Sequence, residues 1–221
     1  MPTRARVDRR LRGVRFVVAV SAATVCLHAG AATREEDLAI AVANDRVGQV
    51  KELLARGVDA NTVDVNGDPA LVIAARSGNV NVVEALLVAR ANVNAPNKFG
   101  DTAIMVAALS GNLVIVRALR ARGENLENPG WTPLTYAATG GHDAVVAYLL
   151  AEGAHINAPS PNGTTALMMA VRESKGSTVE LLIAKGADVN RRNQNGASAL
   201  DWALRGNEKK MAEQLRRAGA K

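Results

Sequence analysis

Chemistry needs nucleophiles, acid–base groups or metal ligands held close together, and this 221-residue chain supplies few of them. Its three histidines are His28, His142 and His155, and its one cysteine is Cys26. A lone cysteine forms neither an internal disulfide nor a thiolate zinc site. His142 and His155 have no further ligands at a spacing that would converge on a metal, so no metal or other cofactor is expected. No G-x-S-x-G places a serine on a nucleophile turn, and no G-x-G-x-x-G or phosphate-cradling loop follows a strand pattern. Asn162-Gly163-Thr164 spells a glycosylation sequon, but Asn-Gly is also a turn signal, and the turn is the preferred reading. The basic pairs Arg191-Arg192, Lys209-Lys210 and Arg216-Arg217 are diluted by Asp188, Asp201, Glu208 and Glu213, which reads as a solvated face. Enzymatic function is not expected. What remains is recognition.

The charge first points to an anionic partner, because the formal net charge is +6 and the isoelectric point is near 9.9. Its placement changes that reading. Residues 1–15 hold six arginines (Arg4, Arg6, Arg9, Arg10, Arg12 and Arg15) against one acid, Asp8. The segment through Ala31 therefore carries +5, and residues 32–221 hold 21 basic and 20 acidic residues. Nucleic acid is not an expected partner. After the arginines comes an uncharged run, Phe16 to Leu27, and then Ala29-Gly30-Ala31, which fits a small-residue cleavage pattern. A basic start, a short apolar stretch and a small-residue exit are the parts of a secretory signal peptide, expected over residues 1–31. A retained anchor is the alternative, although a spanning helix needs about 20 apolar residues. Without the leader there is no cysteine, which suits an oxidising compartment. The leader's style points to a bacterium and the periplasm, with no stable membrane span after cleavage.

The elements that position any site repeat. Gly67, Gly100, Gly130, Gly163 and Gly196 are separated by 33, 30, 33 and 33 residues. Four positions after each is an aliphatic residue (Leu71, Ile104, Leu134, Leu167, Leu200). Seven after is alanine (Ala74, Ala107, Ala137, Ala170, Ala203), and nineteen after is leucine (Leu86, Leu119, Leu149, Leu182, Leu215). Such columns are the signature of a repeat architecture. Each unit reads as helix, turn, helix and loop. Thr102, Thr132, Thr165 and Ser198 stand where a hydroxyl caps a helix start. The second helix has apolar residues at helical spacing, as in Val145, Val146, Leu149 and Leu150. It stops at Gly123, Gly153, Gly186 and Gly219, with Arg90 in the equivalent place of one unit.

In these columns the chain resembles the ankyrin-repeat family, whose pattern runs G-x-T-P-L-H-x-A-A-x-x-G-H-x-x-V-V-x-L-L-L-x-x-G-A-x-x-N. The best copy is Gly130-Trp131-Thr132-Pro133-Leu134-Thr135-Tyr136-Ala137-Ala138, continuing through Gly141-His142 and Gly153-Ala154 to Asn157. An earlier degenerate copy uses Leu38, Ala41, Leu53, Leu54 and Gly57 to Asn61. The resemblance implies an all-α solenoid of about six helix-turn-helix units with hairpin-like loops, in a domain over 32–221. The units fall at about 33–63 (an N-terminal cap), 64–96, 97–126, 127–159, 160–192 and 193–221 (a C-terminal cap). At the family's histidine position stand Val72, Met105, Thr135, Met168 and Asp201, so the hydrogen-bond network of that histidine is lost and apolar contacts should hold the stack. The loop from Gly123 to Gly130 is three residues short, which predicts a stubbier hairpin and a locally altered edge.

The resemblance also implies a monomeric, non-catalytic binder that holds a protein partner on the concave side, formed by loop tips and first helices. By motif position the exposed sites there are Asp68 and Arg76, then Lys98, Phe99, Asp101 and Leu109, then Trp131, Arg172 and Arg205. Val65, Asn66, Ser77, Ser110, Thr139, Asn162, Thr164, Glu173 and Gln194 fall in the same set. Phe99 and Trp131 are the expected anchors, since aromatics and arginines dominate interface hot spots. Tyr136 and Trp202 are expected in the core, and His142 in a structural turn. The implied role is a scaffold or regulator in the periplasm. The alternatives are an accessory or inhibitor of an envelope enzyme (a catalase-linked redox enzyme is one family-level client), a cell-wall ligand binder, or a secreted effector.

Overall fold

The computed structural model describes residues 34–127 and 130–221, so the expected leader lies outside the described residues. Twelve helices follow one another in pairs among the described residues. The pairs are α1 (34–43) with α2 (Val47–Ala55), α3 (Ala70–Ser77) with α4 (Val80–Val88), and α5 (Ala103–Leu109) with α6 (Leu113–Arg120). Then come α7 (Pro133–Gly140) with α8 (Asp143–Ala151), α9 (Ala166–Arg172) with α10 (Gly176–Ala184), and α11 (Ala199–Arg205) with α12 (Lys209–Arg217).

Backbone handedness sets the pairing. The turn inside every pair contains one left-handed residue: Asp45, Gly78, Gly111, Gly141, Ser174 or Asn207. The exit from every second helix contains another, Arg90 with φ +63° in the second unit and glycine in the other five. An L-residue held there costs roughly 1 kcal/mol relative to glycine. Gly140, and Gly111 in addition to its left-handed φ, answer a packing need. A Cβ on Gly111 or Gly140 would stand 2.4 Å from the His142 ring. That ring bridges two units by meeting the Leu109 carbonyl oxygen at 2.9 Å. His142 is structural, as its motif position implied.

Apolar columns make the core. All five alanines of the first-helix column and all five leucines of the second-helix column are fully buried. With only a methyl group at the contact, α3, α5, α7, α9 and α11 approach one another more closely than the second helices do. Such unequal spacing favours a curved stack with the first helices on its inner side. Hydroxyl capping works at Thr132, Thr165 and Ser198, which accept from the N–H groups of Thr135, Met168 and Asp201. Thr102 departs from expectation: its buried hydroxyl forms no side-chain cap hydrogen bond and lies against the Glu124 carboxyl instead.

A second, polar column runs along the loops. Asn61, Asn94, Glu127, Asn157 and Asn190 each accept one backbone N–H from the next loop along the stack, at 2.7 to 3.0 Å. Partners are 31 residues apart at four rungs and 28 apart at the Glu127 rung. The short loop thus keeps its rung, with a longer side chain where the other units use asparagine. Its tip, residues 128 and 129, lies outside the described residues, and so does that part of the stubbier-hairpin expectation.

Candidate surface at the hairpin tips

Hydrogen bonds within each tip decide what it shows to solvent. The Asn97 side-chain oxygen accepts the N–H groups of Phe99 and Asp101, both at 2.9 Å, and the Asn97 N–H donates to the Asp101 carbonyl at 2.9 Å. Gly100 supplies the left-handed corner at φ +86°. Phe99 is carried at the apex of this closed turn and is 77% exposed. The Lys98 ammonium stands 5.2 Å from the centre of its ring. An exposed phenyl group on a turn fixed by several hydrogen bonds loses little freedom when a partner covers it.

Two hollows flank the Phe99 side chain. One, about 400 Å³, is lined by Arg76, Phe99, Asp101, Val106, Leu109 and Tyr136. The other, about 520 Å³, includes Phe99, Asp101, Thr102, Met105, Trp131 and Pro161 in its lining. Asp101 belongs to both and accepts the Tyr136 O–H. Burial, together with the Asp101 hydrogen bond and charge, pushes the Tyr136 phenol well above its usual value and keeps it a donor. Another hollow, about 530 Å³, lies between α2 and α4 around Leu54, Glu84 and Val88, on the outer helices and without an aromatic residue.

The sequence-predicted residues separate into two groups. Arg76, Lys98, Phe99, Asp101, Leu109 and Trp131 gather around the third and fourth units. Arg172 and Arg205 are two units away, in a hollow of about 520 Å³ with Trp202 and Glu208. Arg172 is engaged by Glu173 at 2.8 Å, whereas Arg205 makes no ion pair among the described residues. Three expectations need correction. Asp68 is buried and holds Arg76 at 2.7 Å, so it braces that side chain and offers nothing to a partner. Thr164 is buried as well, under its own turn. Trp131 is half-buried in a cavity wall and does not project from a tip. Tyr136 and Trp202, expected in the core, pack against it with one side and line the hollows with the other.

The residue that sequence reasoning missed is Glu124. It is fully buried, and one carboxyl oxygen accepts the Ile104 N–H at 2.9 Å. The other oxygen faces the Thr102 hydroxyl, and among the described residues neither has a further hydrogen-bond partner. Burial raises its pKa to about 7, with Thr102 and Ile104 pulling the other way. A signal was present in the columns, because the equivalent positions are Ala91, Ala154 and Ala187.

The model for ankyrin repeats (three copies) matches residues 38–129, 83–160 and 157–221. The chain belongs to the ankyrin-repeat family. No curated protein matches it. Ankyrin repeats generally mediate protein–protein interaction and are typically non-catalytic. In this ankyrin-repeat chain no group of three or more metal-binding side chains occurs among the described residues, and no described helix is long and apolar enough to cross a membrane. The His155 side chain belongs to no such group; its backbone N–H serves the Glu127 rung.

Proposed function

We propose that this protein is a non-catalytic binding module of the bacterial periplasm that holds a protein partner on its inner face, centred on Phe99. The observation that carries the reading is the placement of Phe99, 77% exposed on a rigid tip between two hollows. Arg76, braced by Asp68, and Leu109, 41% exposed, extend the same surface. Covering a phenyl group with protein is worth roughly 2 kcal/mol, enough to matter and too little to act alone. Export is supported by the arginine-rich start, the twelve-residue uncharged run and the Ala-Gly-Ala exit within residues 1–31.

Affinity capture from periplasmic extract tests the reading, comparing wild type with the Phe99→Ala, Trp131→Ala double variant and identifying partners by mass spectrometry. A partner lost by the variant, whose fold is checked by circular dichroism, is the expected result. An unchanged partner set would remove Phe99 as the centre. Mass measurement of the mature chain shows whether cleavage follows Ala31.

A further inference from the structure

The cavity between Phe99 and Trp131 has a composition that selects its occupant. Two of the chain's six aromatic residues line it, each carried by a different unit. Its polar lining is rich in acceptors. Asp101 uses one carboxylate oxygen for the Tyr136 O–H, and among the described residues its other oxygen meets only the Asn97 amide, at the 3.5 Å limit of a hydrogen bond. Thr102, 4% exposed, also lines the cavity, with its hydroxyl against the Glu124 carboxyl. Among the described residues, no lysine, arginine or histidine lines the cavity. Aromatic faces attract cations through their quadrupole, and an ionised carboxylate strengthens that attraction where water is partly excluded.

We propose that this cavity receives a cationic side chain, arginine or lysine, from the partner polypeptide, with Phe99 and Trp131 as walls and Asp101 as the counter-charge. The inference rests on the protein-binding reading above and names the chemistry of one partner residue. Lys98 supplies an internal precedent and a competitor. Its ammonium already sits over the Phe99 ring but does not line the cavity. It therefore shows that the ring holds a cation while opposing the entry of a second one.

The test uses two neutral-backbone probes of equal shape, Nα-acetyl-arginine methylamide and its uncharged citrulline analogue. Binding is followed by NMR at the Trp131 indole and the Phe99 and Thr102 amides of the full domain. The arginine probe is expected to bind about tenfold more tightly than citrulline. Asp101→Asn, which keeps an acceptor for Tyr136, should erase that difference. Phe99→Ala should weaken the arginine probe, and Lys98→Ala should tighten it. Equal binding of the two probes, no binding of either, or discrimination that survives Asp101→Asn overturns the proposal. So does a Lys98→Ala variant that loses affinity. The broader reading fails separately: a captured partner lost on Phe99→Ala yet indifferent to Asp101→Asn leaves protein binding standing and removes only the cation.

Discussion

The joint between the fifth and sixth units and the joint between the third and fourth are built from the same columns, yet they close differently. At the former, neighbouring hairpins bond directly: Gln194 gives its backbone N–H to the Asn162 carbonyl at 2.9 Å and its side-chain amide to the Pro161 carbonyl at 2.7 Å. The tips fit so closely that a Cβ on Gly163 would stand 3.1 Å from the Asn193 Cα. At the latter, the loop is three residues short, a cavity of about 520 Å³ lies between Phe99 and Trp131, and a carboxyl group replaces the buried alanine. The regular joint spends its polar groups on itself, whereas the short joint leaves acceptors and aromatic faces uncommitted. In a stack where each unit touches only its neighbours, one irregular joint can be altered without disturbing the others.

Exchanging the buried residue between joints gives the largest expected effect. Ala187→Glu places a carboxyl where Glu124 stands in the short joint, but under a full-length hairpin. It should cost roughly 3–5 kcal/mol in urea unfolding at pH 8, because the charge is buried and the site overpacked. A small cost would mean that Thr165 and Leu167, which correspond to Thr102 and Ile104, can house a carboxyl without the short loop.

The native carboxyl should make stability depend on pH. The folded-state pKa of Glu124, about 7, exceeds its ordinary value of 4.5. Between those values the folded chain binds more protons than the unfolded chain, so stability falls as pH rises. The contribution is complete below pH 4.5 and lost through pH 7, a total of roughly 3 kcal/mol. Glu124→Gln keeps an acceptor for the Ile104 N–H and removes the titration. Unfolding at pH 5 and pH 8 should therefore show wild type losing ground relative to the variant. Parallel curves would place the carboxyl in contact with water.

The loop ladder should treat the joints alike. Glu127→Ala and Asn157→Ala each remove one acceptor, at 2.8 and 2.9 Å, and each should cost about 1 kcal/mol. A much smaller loss at Glu127 would mean that its longer side chain holds the rung only loosely. Outside both joints, Arg90→Gly relieves a left-handed arginine and should gain roughly 0.5–1 kcal/mol, seen as a higher urea midpoint.

Much of the fold was legible because its signals are local and repeated. Ala74, Ala107, Ala137, Ala170 and Ala203 mark the tight inner contacts in any unit, and the left-handed glycines mark the turns. The surface was less legible. Motif position put Asp68, Asp101 and Trp131 on one exposed edge, but Asp68 is occupied by Arg76, eight residues on, and Asp101 gives one of its two oxygens to Tyr136, thirty-five residues on. Glu124 could have been noticed as an exception in an alanine column, but its burial depends on Ile104, twenty residues away.

The sequence by itself determined the repeat, its period, the helix pairs and the near-neutral charge of residues 32–221, since each follows from residue types within about thirty-three positions. The tertiary structure alone decided which polar groups are satisfied. Whether a carboxylate or a ring stays available depends on the unit stacked beside it, and the short loop changes that neighbour. The same columns therefore closed one joint and left the other open.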